Sequence, residues 1–550
     1  MMNVLVTATP PTPNGELHLG HLSGPYLAGD VYRRHQARSG TPVAYLSGID
    51  DHQSYTEARA VRDGHTAEHV ADHYGERIER AWADTAIGFD LIGHPRRSSR
   101  HAELTREVFA ALHERGDIVA RTRPLPYCST CDRWAYEAYV TGACPHCGTA
   151  SCGNACEVCG LPNDCANLAD PHCTVCGDPC ELRDCERLYL QLEPQRKTLE
   201  LFWEQVRMGG HLRALCHRIA DGGLPEIAVS HPADWGLTVP VPGFTEQRIY
   251  VWFEMATGYL AAAEELERLR PGSDTWRGGG RTVQFFGYDN GWFHAVLFPA
   301  VMKAYDPEVT LPAAFVSNEF YRLDGLKFST SRRHAIWLLD ALRDVPADHL
   351  RLHLCWDRPS ATQTSFTWSR FTTFLRDDLL ARWYGWLADL GRRRAAAANR
   401  PGEPDGARPP GPLAPSAAGL RERSADTLRR IDAAYSAEEF SPQRALQLLD
   451  QLVRDAAELG DHHEHLRGLD GLHAEFVAGV HAELAAAAAL ATGLYPIAPT
   501  MAQQLWSALG LPGAVAEHDW HEAVAVPLAA SELAAACPLF DPAAVVQKGE

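Results

Sequence analysis

Two features are absent from the sequence of 550 residues: a long uninterrupted apolar run and a basic N-terminal segment. No stretch reaches the roughly 18 consecutive apolar residues that span a bilayer. The first residues, MMNVLVTATPP, contain no Lys or Arg and are too short for a secretory signal. We therefore predict no membrane-spanning helix and no export, and we expect a cytoplasmic protein without a membrane partner.

Positive charge is also scarce. The chain has 51 Lys and Arg against 70 Asp and Glu, which gives a formal net charge of -19 at pH 7. Because proteins that bind a phosphate backbone usually present a basic surface, this balance argues against broad, non-specific nucleic-acid binding. Hydrophobic content of 45% is ordinary for a globular protein. The length exceeds that of one core and predicts roughly three or four domains.

Cysteine, in contrast, is abundant and concentrated. Of the 15 cysteines, 12 lie between Cys128 and Cys185, and eight of these form four C-x-x-C pairs. In a chain without a secretory signal this spacing is typical of metal binding, and four thiolates make a closed, structural zinc site. Two structural Zn²⁺ sites are predicted, with Cys128, Cys131, Cys144, Cys147, Cys156, Cys159, Cys173 and Cys176 as ligands. The spacing leaves open that Cys152, Cys165, Cys180 or Cys185 replaces one of them.

The pattern around this block predicts a parallel sheet that the block interrupts. Residues 3–8 form an apolar strand, 20–38 have helical spacing, and TPVAYLSGIDDH is a second strand, which together make a βαβ unit. Helical patterns follow at 56–85 and 101–116. After the cysteines, RIYVWFEMATGY and TVQFFGYDNGWFHAVLFPAVMKA each predict a strand leading into a helix, so we expect the sheet to resume there. From 369 onward the pattern is helical, interrupted by a predicted loose loop at 399–419.

The segment PPTPNGELHLGH follows the first strand and places two histidines, His18 and His21, at the start of a helix. A helix N-terminus attracts anions, and Gly20 allows a phosphate or an adenine to approach the backbone. Two imidazoles one turn apart would hydrogen-bond the charge that develops on a transferring phosphoryl group. Taken alone, the pair could equally be two incidental surface histidines.

Two signatures in this order resemble those of class I aminoacyl-tRNA synthetases. HLGH resembles the HIGH signature, and DGLKFSTSRRHAIW resembles KMSKS, with Lys327, Phe328, Ser329, Thr330 and Ser331 in its five positions. The cysteine segments and the stretches HPADWGLTVPVPG, YVWFEMATGY, FFGYDNGWFHAVLFPA and LYPIAPTMAQQLWSALGL are similar to methionyl-tRNA synthetases over nearly the whole chain.

This resemblance implies an α/β fold with a Rossmann-like parallel sheet, a zinc-knuckle insertion and a C-terminal α-helical bundle. It implies that Cys144, Cys147, Cys156 and Cys159 hold one zinc ion and the outer four cysteines the second. The domain boundaries it predicts are a first catalytic half at 1–120, a zinc-binding insertion with two knuckles at 121–190, a second catalytic half with the KFSTS loop at 191–340, a connecting segment at 341–370 and a helical anticodon-binding-like domain at 371–550.

The resemblance also assigns residues to the activation of an amino acid by ATP and Mg²⁺. His18 and His21 would stabilise the α-phosphate, Lys327 the leaving pyrophosphate, and Asp50 the ammonium group of the substrate. The predicted substrate-binding residues are Asp50, Trp252, Tyr259, Phe293, His294, Thr9 and Pro10, and the predicted ATP-binding residues are Gly20, Gly287, Asp289, Ser329 and Ser331. The competing interpretation of the aromatic residues is an ordinary core.

Several positions depart from the family pattern. Thr330 replaces the second lysine of KMSKS. In HPADWG, His231 replaces the arginine that usually precedes the Asp of the family's RD..WG motif. RDAAELGDHHEHLRG lacks the Asn and Trp with which the family reads the anticodon, and residues 451–550 contain three Lys or Arg against thirteen Asp or Glu. Such a face would repel RNA. We therefore do not expect anticodon reading.

The sequence thus predicts an ATP-dependent ligase that forms an aminoacyl adenylate and transfers the acyl group to a small-molecule acceptor in preference to tRNA. An N-hydroxylated amine is one such acceptor, as in the synthetase-like half of bacterial hydrazine-forming enzymes, which this chain resembles. No cupin-like histidine motif follows the helical region, so a separate cupin-type partner enzyme is expected. Two alternatives stay open: a genuine but divergent methionyl-tRNA synthetase, and a zinc-stabilised pseudo-enzyme.

Overall fold

A five-stranded parallel sheet forms the centre of the first part of the protein. The structure, a computed structural model, describes residues 3–328, 334–398, 415–469, 471–520 and 526. The α/β class with a parallel sheet, predicted from the sequence, is confirmed. In spatial order the strands are Ala314–Asn318, Gly280–Gly287, Asn3–Ala8, Val43–Gly48 and Leu91–Gly93.

The first strand, Asn3–Ala8, occupies the middle of this sheet because it is almost entirely apolar and buried on both faces. Val43–Gly48 pairs with one of its edges and Gly280–Gly287 with the other. The strand order therefore reverses beside the first strand. The carboxyl ends of strands at such a switch point are where open α/β sheets bind ligands.

The predicted helix at 20–38 is divided into three parts. A short helix, Leu19–His21, continues into a wide turn, Leu22–Tyr26, before the regular helix Leu27–Arg38. The turn contains Gly24, whose backbone is not helical, and Pro25, which has no N–H to donate. The predicted helix at 56–85 is likewise two helices, Ser54–Asp63 and Ala67–Asp84, because Gly64 ends the first with φ of 71°.

The cysteine-rich insertion is carried by two long antiparallel strands, Ile118–Cys128 and Glu181–Gln191. Between them the chain forms the short strands Arg133–Trp134, Val140–Ala143, Ala150–Ser151 and Ala169–Cys173. On its far side Glu226–Ala228 pairs with Glu181–Gln191.

One predicted strand of the parallel sheet lies elsewhere. Gln247–Ile249, at the start of RIYVWFEMATGY, pairs antiparallel with Ser230–Pro232 in a separate two-stranded sheet. The prediction that this segment resumes the parallel sheet is wrong, because its backbone hydrogen bonds are made to Ser230–Pro232. Gly280–Gly287 and Ala314–Asn318 resume the sheet instead.

Helices make up the rest of the described chain. The C-terminal region is an α-helical bundle, as predicted, formed by Leu379–Ala398, Pro415–Tyr435, Pro442–Glu464, His473–Leu494 and Pro499–Ala508. Most of the predicted loop at 399–419 lies outside the described residues. The remaining helices are Ser99–Glu114, Arg196–Gln205, Gly210–Asp221, Val251–Leu269, Phe298–Tyr305, Leu338–Ala341, Ala347–Trp356 and Trp368–Thr373, and a small sheet joins Tyr321–Leu323, Leu326–Lys327 and Thr364–Phe366.

One helix of the bundle, His473–Leu494, is long and apolar enough to cross a bilayer, although it contains no uninterrupted apolar run of that length. In the structure, 83% of the most apolar 18-residue stretch of this helix is buried inside the protein. Core helices of soluble proteins have the same composition. Its apolar character is therefore accounted for by packing inside the bundle.

A buried arginine connects the bundle to the sheet region. Arg351 is fully buried and donates a hydrogen bond of 2.7 Å to the carboxylate of Asp30, which is also fully buried. The same guanidinium donates to the carbonyl oxygens of Thr85, Pro496 and Ile497. Because these bonds satisfy the buried charge, the arginine fixes the bundle against the helix that begins behind the histidine signature.

We expect acid sensitivity from His353, which is 3% exposed and is surrounded by the rings of Phe366, Phe371 and Phe374. Within the described part of the chain, neither of its ring nitrogens has a hydrogen-bond partner. Burial lowers its pKa to about 3. Since the unfolded chain binds this proton near pH 6.5, stability is lost as the pH falls from about 6.5 toward 3. At pH 5 the loss from this residue is about 2 kcal/mol relative to pH 8.

The measurement is urea unfolding at pH 8 and pH 5 for the wild type and His353→Leu. The difference in unfolding free energy between the two pH values should be smaller in the variant by about 2 kcal/mol. An equal difference in both proteins would contradict the prediction.

Candidate active site and zinc-binding clusters

A cleft of about 460 Å³ opens at the switch point of the parallel sheet. Its walls come from the segment after the first strand, the start of the helix Val251–Leu269, and the loop after Gly280–Gly287. The folded chain thus gathers segments that are up to three hundred residues apart. The predicted site residues that line it are Thr9, Pro10, His18, Gly20, His21, Asp50, Trp252, Gly287, Asp289, Phe293 and Lys327.

His18 and His21 form a stacked pair in this cleft, with ring centroids 3.7 Å apart. His18 precedes the short helix and its Nδ1 accepts the backbone N–H of His21 at 3.3 Å, while Nδ1 of His21 accepts the backbone N–H of His18 at 3.2 Å. Since each Nδ1 is an acceptor, the proton of each neutral ring lies on Nε2. The ring of Phe328 stacks on His18 at 4.6 Å and fixes its plane.

Both imidazoles are neutral near pH 7. Burial lowers the pKa of His21 to about 4, and burial together with the neighbouring His21 holds the pKa of His18 well below its ordinary value. Neutral Nε2–H groups are hydrogen-bond donors that carry no full charge. The pair can therefore stabilise charge that develops in a reaction without binding a resting anion strongly.

Lys327 lies at the opposite wall, where it forms an ion pair with Glu157. Glu157 stands between two cysteines of the insertion, Cys156 and Cys159, so the lysine contacts the cysteine-rich knuckle. Its Nζ is also 5.0 Å from the ring centroid of Phe320. A phosphate bound to Lys327 has to replace Glu157 as its partner. Ser329, Thr330 and Ser331 lie outside the described residues, so their predicted contacts stay predictions.

Asp50 lies at the inner end of the cleft, just after the strand Val43–Gly48, and is 6% exposed. Burial, and then the nearby carboxylate of Glu254, raise its pKa well above the ordinary value. No ion pair to Asp50 is found among the described residues. A buried carboxylate without a countercharge is a suitable partner for an ammonium group.

Behind Asp50 lies a charged network that was not assigned from the sequence. Glu254, 2% exposed, accepts hydrogen bonds through Oε1 from His52 Nδ1 at 2.7 Å and His101 Nε2 at 2.8 Å. Although burial alone raises the pKa of Glu254, the two histidines lower it to about 2. The only local signal was the polar cluster IDDHQ after the second strand. Its long-range partners were not identifiable from spacing.

Aromatic side chains form the apolar side of the cleft. Trp252 stacks on Phe293 with centroids 3.5 Å apart, and its indole N–H donates to Glu137 at 3.2 Å. Behind them, His294 Nε2 lies 2.9 Å from the Thr9 hydroxyl, and its ring is 5.9 Å from that of Tyr259. His294 and Tyr259 therefore belong to the layer below the cleft surface, where they support residues that line it.

The strand Gly280–Gly287 leads into the predicted ATP-binding residues. Asp289 follows in a single turn, and burial, and then the charge of Glu157, raise its pKa to about 6. Gly287 has no room for a side chain, because an added Cβ would lie 2.4 Å from the Asp289 carboxylate. The turn thus presents backbone and one carboxyl group to the cleft.

The eight predicted zinc ligands form two clusters. One contains Cys128, Cys131, Cys173 and Cys176, and the other contains Cys144, Cys147, Cys156 and Cys159. In the first cluster the Sγ atoms are 3.5 Å apart in Cys128 and Cys176 and 3.9 Å apart in Cys131 and Cys173. In the second they are 3.6 Å apart in Cys147 and Cys156 and 3.9 Å apart in Cys144 and Cys159. Four sulfurs at about 2.3 Å from a tetrahedral zinc ion are about 3.8 Å apart, so both clusters fit the metal. Cys152, Cys165, Cys180 and Cys185 belong to neither cluster.

Comparison with known proteins agrees with this arrangement. Residues 4–388 match the family model described as tRNA synthetases class I (M). This match covers well over half of the chain. The chain belongs to this family of class I tRNA synthetases.

Among relatives of this synthetase-family protein are methionine–tRNA ligases. That of Thermomicrobium roseum is 33% identical over 380 residues, which are 68% of this chain and 65% of that protein. The alignment therefore spans slightly less than two thirds of the T. roseum enzyme. That of Dehalococcoides mccartyi strain 195 is 30% identical over 541 residues, 96% of this chain and 95% of that protein.

A solved structure shows the same fold. Methionyl-tRNA synthetase of Mycobacterium tuberculosis, in complex with methionyl-adenylate, aligns with a TM-score of 0.76 over 93% of this chain and 94% of that one. The sequence identity is 20%, so this likeness concerns the fold alone.

Metal analysis of the purified synthetase-family protein should find two zinc ions per chain. Cys144→Ser combined with Cys147→Ser removes half of one cluster and should leave one zinc ion. Cys152→Ser combined with Cys165→Ser is the matched control, because these cysteines lie in the same insertion but outside both clusters, and it should retain two. A folded wild type with fewer than two zinc ions would contradict the assignment.

Proposed function

We propose that this chain is an ATP-dependent amino-acid ligase of the methionyl-tRNA synthetase type. It forms an aminoacyl adenylate and pyrophosphate, and then transfers the aminoacyl group to tRNA. The observation that carries the proposal is the pair of neutral Nε2–H donors, His18 and His21, in one cleft with the buried, uncompensated carboxylate of Asp50.

In the first step an oxygen of the amino-acid carboxylate attacks the α-phosphorus of ATP. The bond from that phosphorus to the bridging oxygen breaks, and pyrophosphate leaves with the electron pair. His18 and His21 donate hydrogen bonds to the α-phosphate oxygens as charge builds on them. Lys327, released from Glu157, binds the leaving phosphates, and Mg²⁺ accompanies ATP and neutralises part of their charge.

The amino acid is held at its charged end by Asp50, which pairs with the ammonium group. The stacked rings of Trp252 and Phe293 form the apolar wall beside it. The relatives named above act on methionine, and methionine is therefore the first candidate. Pro10 lines the cleft at a position where, by the resemblance, the family usually has a leucine, so this part of the wall differs from that of the family.

The relatives and the charge of the C-terminal region favour different acceptors of the aminoacyl group. The methionine–tRNA ligases among the relatives favour tRNA, and the expected small-molecule acceptor and cupin-type partner receive no support from them. One observation favours a small acceptor as a second candidate. Residues 451–550 carry thirteen Asp or Glu against three Lys or Arg, a poor surface for RNA.

ATP–pyrophosphate exchange with each of the twenty amino acids tests the first step. Exchange with methionine, followed by acid-precipitable aminoacyl-tRNA from an unfractionated tRNA pool, is the expected result. Exchange without charging would overturn the tRNA acceptor and favour the small-molecule candidate. Absence of exchange with every amino acid, in a protein that retains its zinc, would overturn the ligase proposal and favour a pseudo-enzyme.

A further inference from the structure

We call the cleft that contains His18, His21 and Asp50 the adenylate cleft. A second cavity lies beside it, between the cysteine-rich insertion and the helix Gly210–Asp221. Its volume is about 700 Å³, larger than that of the cleft. We call it the insertion cavity and define it by Arg187, Asn163, Tyr250, His231, Arg218 and Asn154. Asn154 lines both the insertion cavity and the cleft, so the two spaces are neighbours.

Three side chains on the cavity wall have buried hydrogen-bonding groups without a partner among the residues that the structure describes. They are Nε of Arg187, both amide atoms of Asn163 and the hydroxyl of Tyr250. Arg187 is only 1% exposed, and Tyr250 is 6% exposed. Each buried polar group left unsatisfied costs about 1–3 kcal/mol, and native proteins contain few of them. Their grouping around one cavity places them where a bound molecule would complete their hydrogen bonding.

The positive charge of Arg187 is weakly compensated. Its nearest carboxylate is that of Asp164, 3.4 Å from Nη2, and Nη1 is 3.5 Å from His231 Nδ1. The guanidinium also lies 5.2 Å from the centroid of the Tyr189 ring. Burial, and then Arg187 itself, hold the pKa of His231 well below the ordinary value, so this histidine is neutral. The guanidinium therefore keeps Nε and further N–H groups for an anion.

The other carboxylates on the cavity wall already have partners. Glu226 pairs with Arg121 and Arg123. Glu137 accepts hydrogen bonds from Ser54, Asn154 and Trp252. Arg218, in contrast, has no ion pair among the residues that the structure describes. The groups that remain open are thus mainly donors, which favours an acceptor ligand.

We propose that the insertion cavity binds a small carboxylate-bearing molecule through Arg187 and Asn163, with Tyr250 contacting a further polar group. A guanidinium with open N–H groups matches the two oxygens of a carboxylate in geometry and charge. Asn154 borders the adenylate cleft, and Glu137 bonds to Trp252 on the wall of that cleft. A ligand in the insertion cavity is therefore a direct neighbour of the cleft rather than a remote effector.

Saturation-transfer NMR with succinate as the probe and zinc-loaded full-length protein tests the proposal. Succinamide, the neutral isostere, shows whether the carboxylate is required. Asn163→Leu removes the amide while keeping the branched shape of the side chain, and it should fold normally because that amide makes no hydrogen bond to the described residues. We expect transfer to succinate but not to succinamide, and affinity weakened about tenfold in Asn163→Leu, the size of one lost hydrogen bond.

Two controls locate the binding. Asn167→Leu changes an exposed asparagine at the rim of the same cavity and should bind succinate like the wild type. His21→Ala, in the adenylate cleft, should also bind succinate normally, which separates this site from the proposed catalytic one. The proposal would be overturned if the wild type did not bind succinate, or if Asn163→Leu bound it as well as the wild type. It would also be overturned if inorganic phosphate bound to the cavity more tightly than succinate.

Discussion

Replacing His21 with alanine should slow adenylate formation about 10²–10³-fold, the usual loss when one preorganised donor to a transition-state oxyanion is removed. The Michaelis constant for ATP should change little, because the donor acts on charge that is absent from bound ATP. Single-turnover formation of the adenylate, monitored as released pyrophosphate, measures this loss directly.

His21→Gln is the matched variant. Its amide N–H can reach the position of Nε2, so it should recover part of the rate that alanine loses. Because Nδ1 of His21 also accepts the backbone N–H of His18, thermal unfolding should accompany the kinetics to separate a fold effect from a chemical one. A loss below tenfold, or no difference between alanine and glutamine, would show that this ring is not a transition-state donor.

Replacing Asp50 with asparagine should raise the Michaelis constant for the amino acid by between about 30-fold and several thousand-fold. This range corresponds to about 2–5 kcal/mol, the cost of removing one partner from a buried, hydrogen-bonded charge pair. The rate at saturating amino acid should fall much less, because the ammonium group is remote from the α-phosphorus. ATP–pyrophosphate exchange over a range of amino-acid concentrations separates the two parameters.

Asp51→Asn serves as the control for Asp50. Asp51 is also buried, at 2% exposure, but its nearest cation is Arg96, with Nε 3.7 Å away. Its replacement should leave the Michaelis constant for the amino acid near the wild-type value. Because burial and then the charge of Glu254 raise the pKa of Asp50, that constant should also fall as rising pH ionises Asp50 in the wild type, and not in Asp50→Asn. Similar constants for both variants would contradict the role of Asp50.

Local patterns determined much of what could be predicted. Residues that are close in the sequence specify the first two strands, the C-x-x-C pairs and the two histidines. Each of these features corresponds to an element or a cluster in the structure. The strand Gly280–Gly287 was likewise identifiable because Val283, Phe285 and Phe286 give it the β-branched and aromatic residues that are enriched in strands. Resemblance then added the class of chemistry.

Tertiary structure alone decided which distant groups meet. Gln247–Ile249 carries a strand pattern, but its partner is an antiparallel strand outside the central sheet. Glu254 receives its two histidines from separate parts of the chain, and Lys327 meets Glu157 across 170 positions. Whether a polar group is satisfied or left open depends on packing around it, and no spacing in the sequence encodes that. The open groups around Arg187 became visible only when the fold enclosed them, because desolvation is a property of the packed structure.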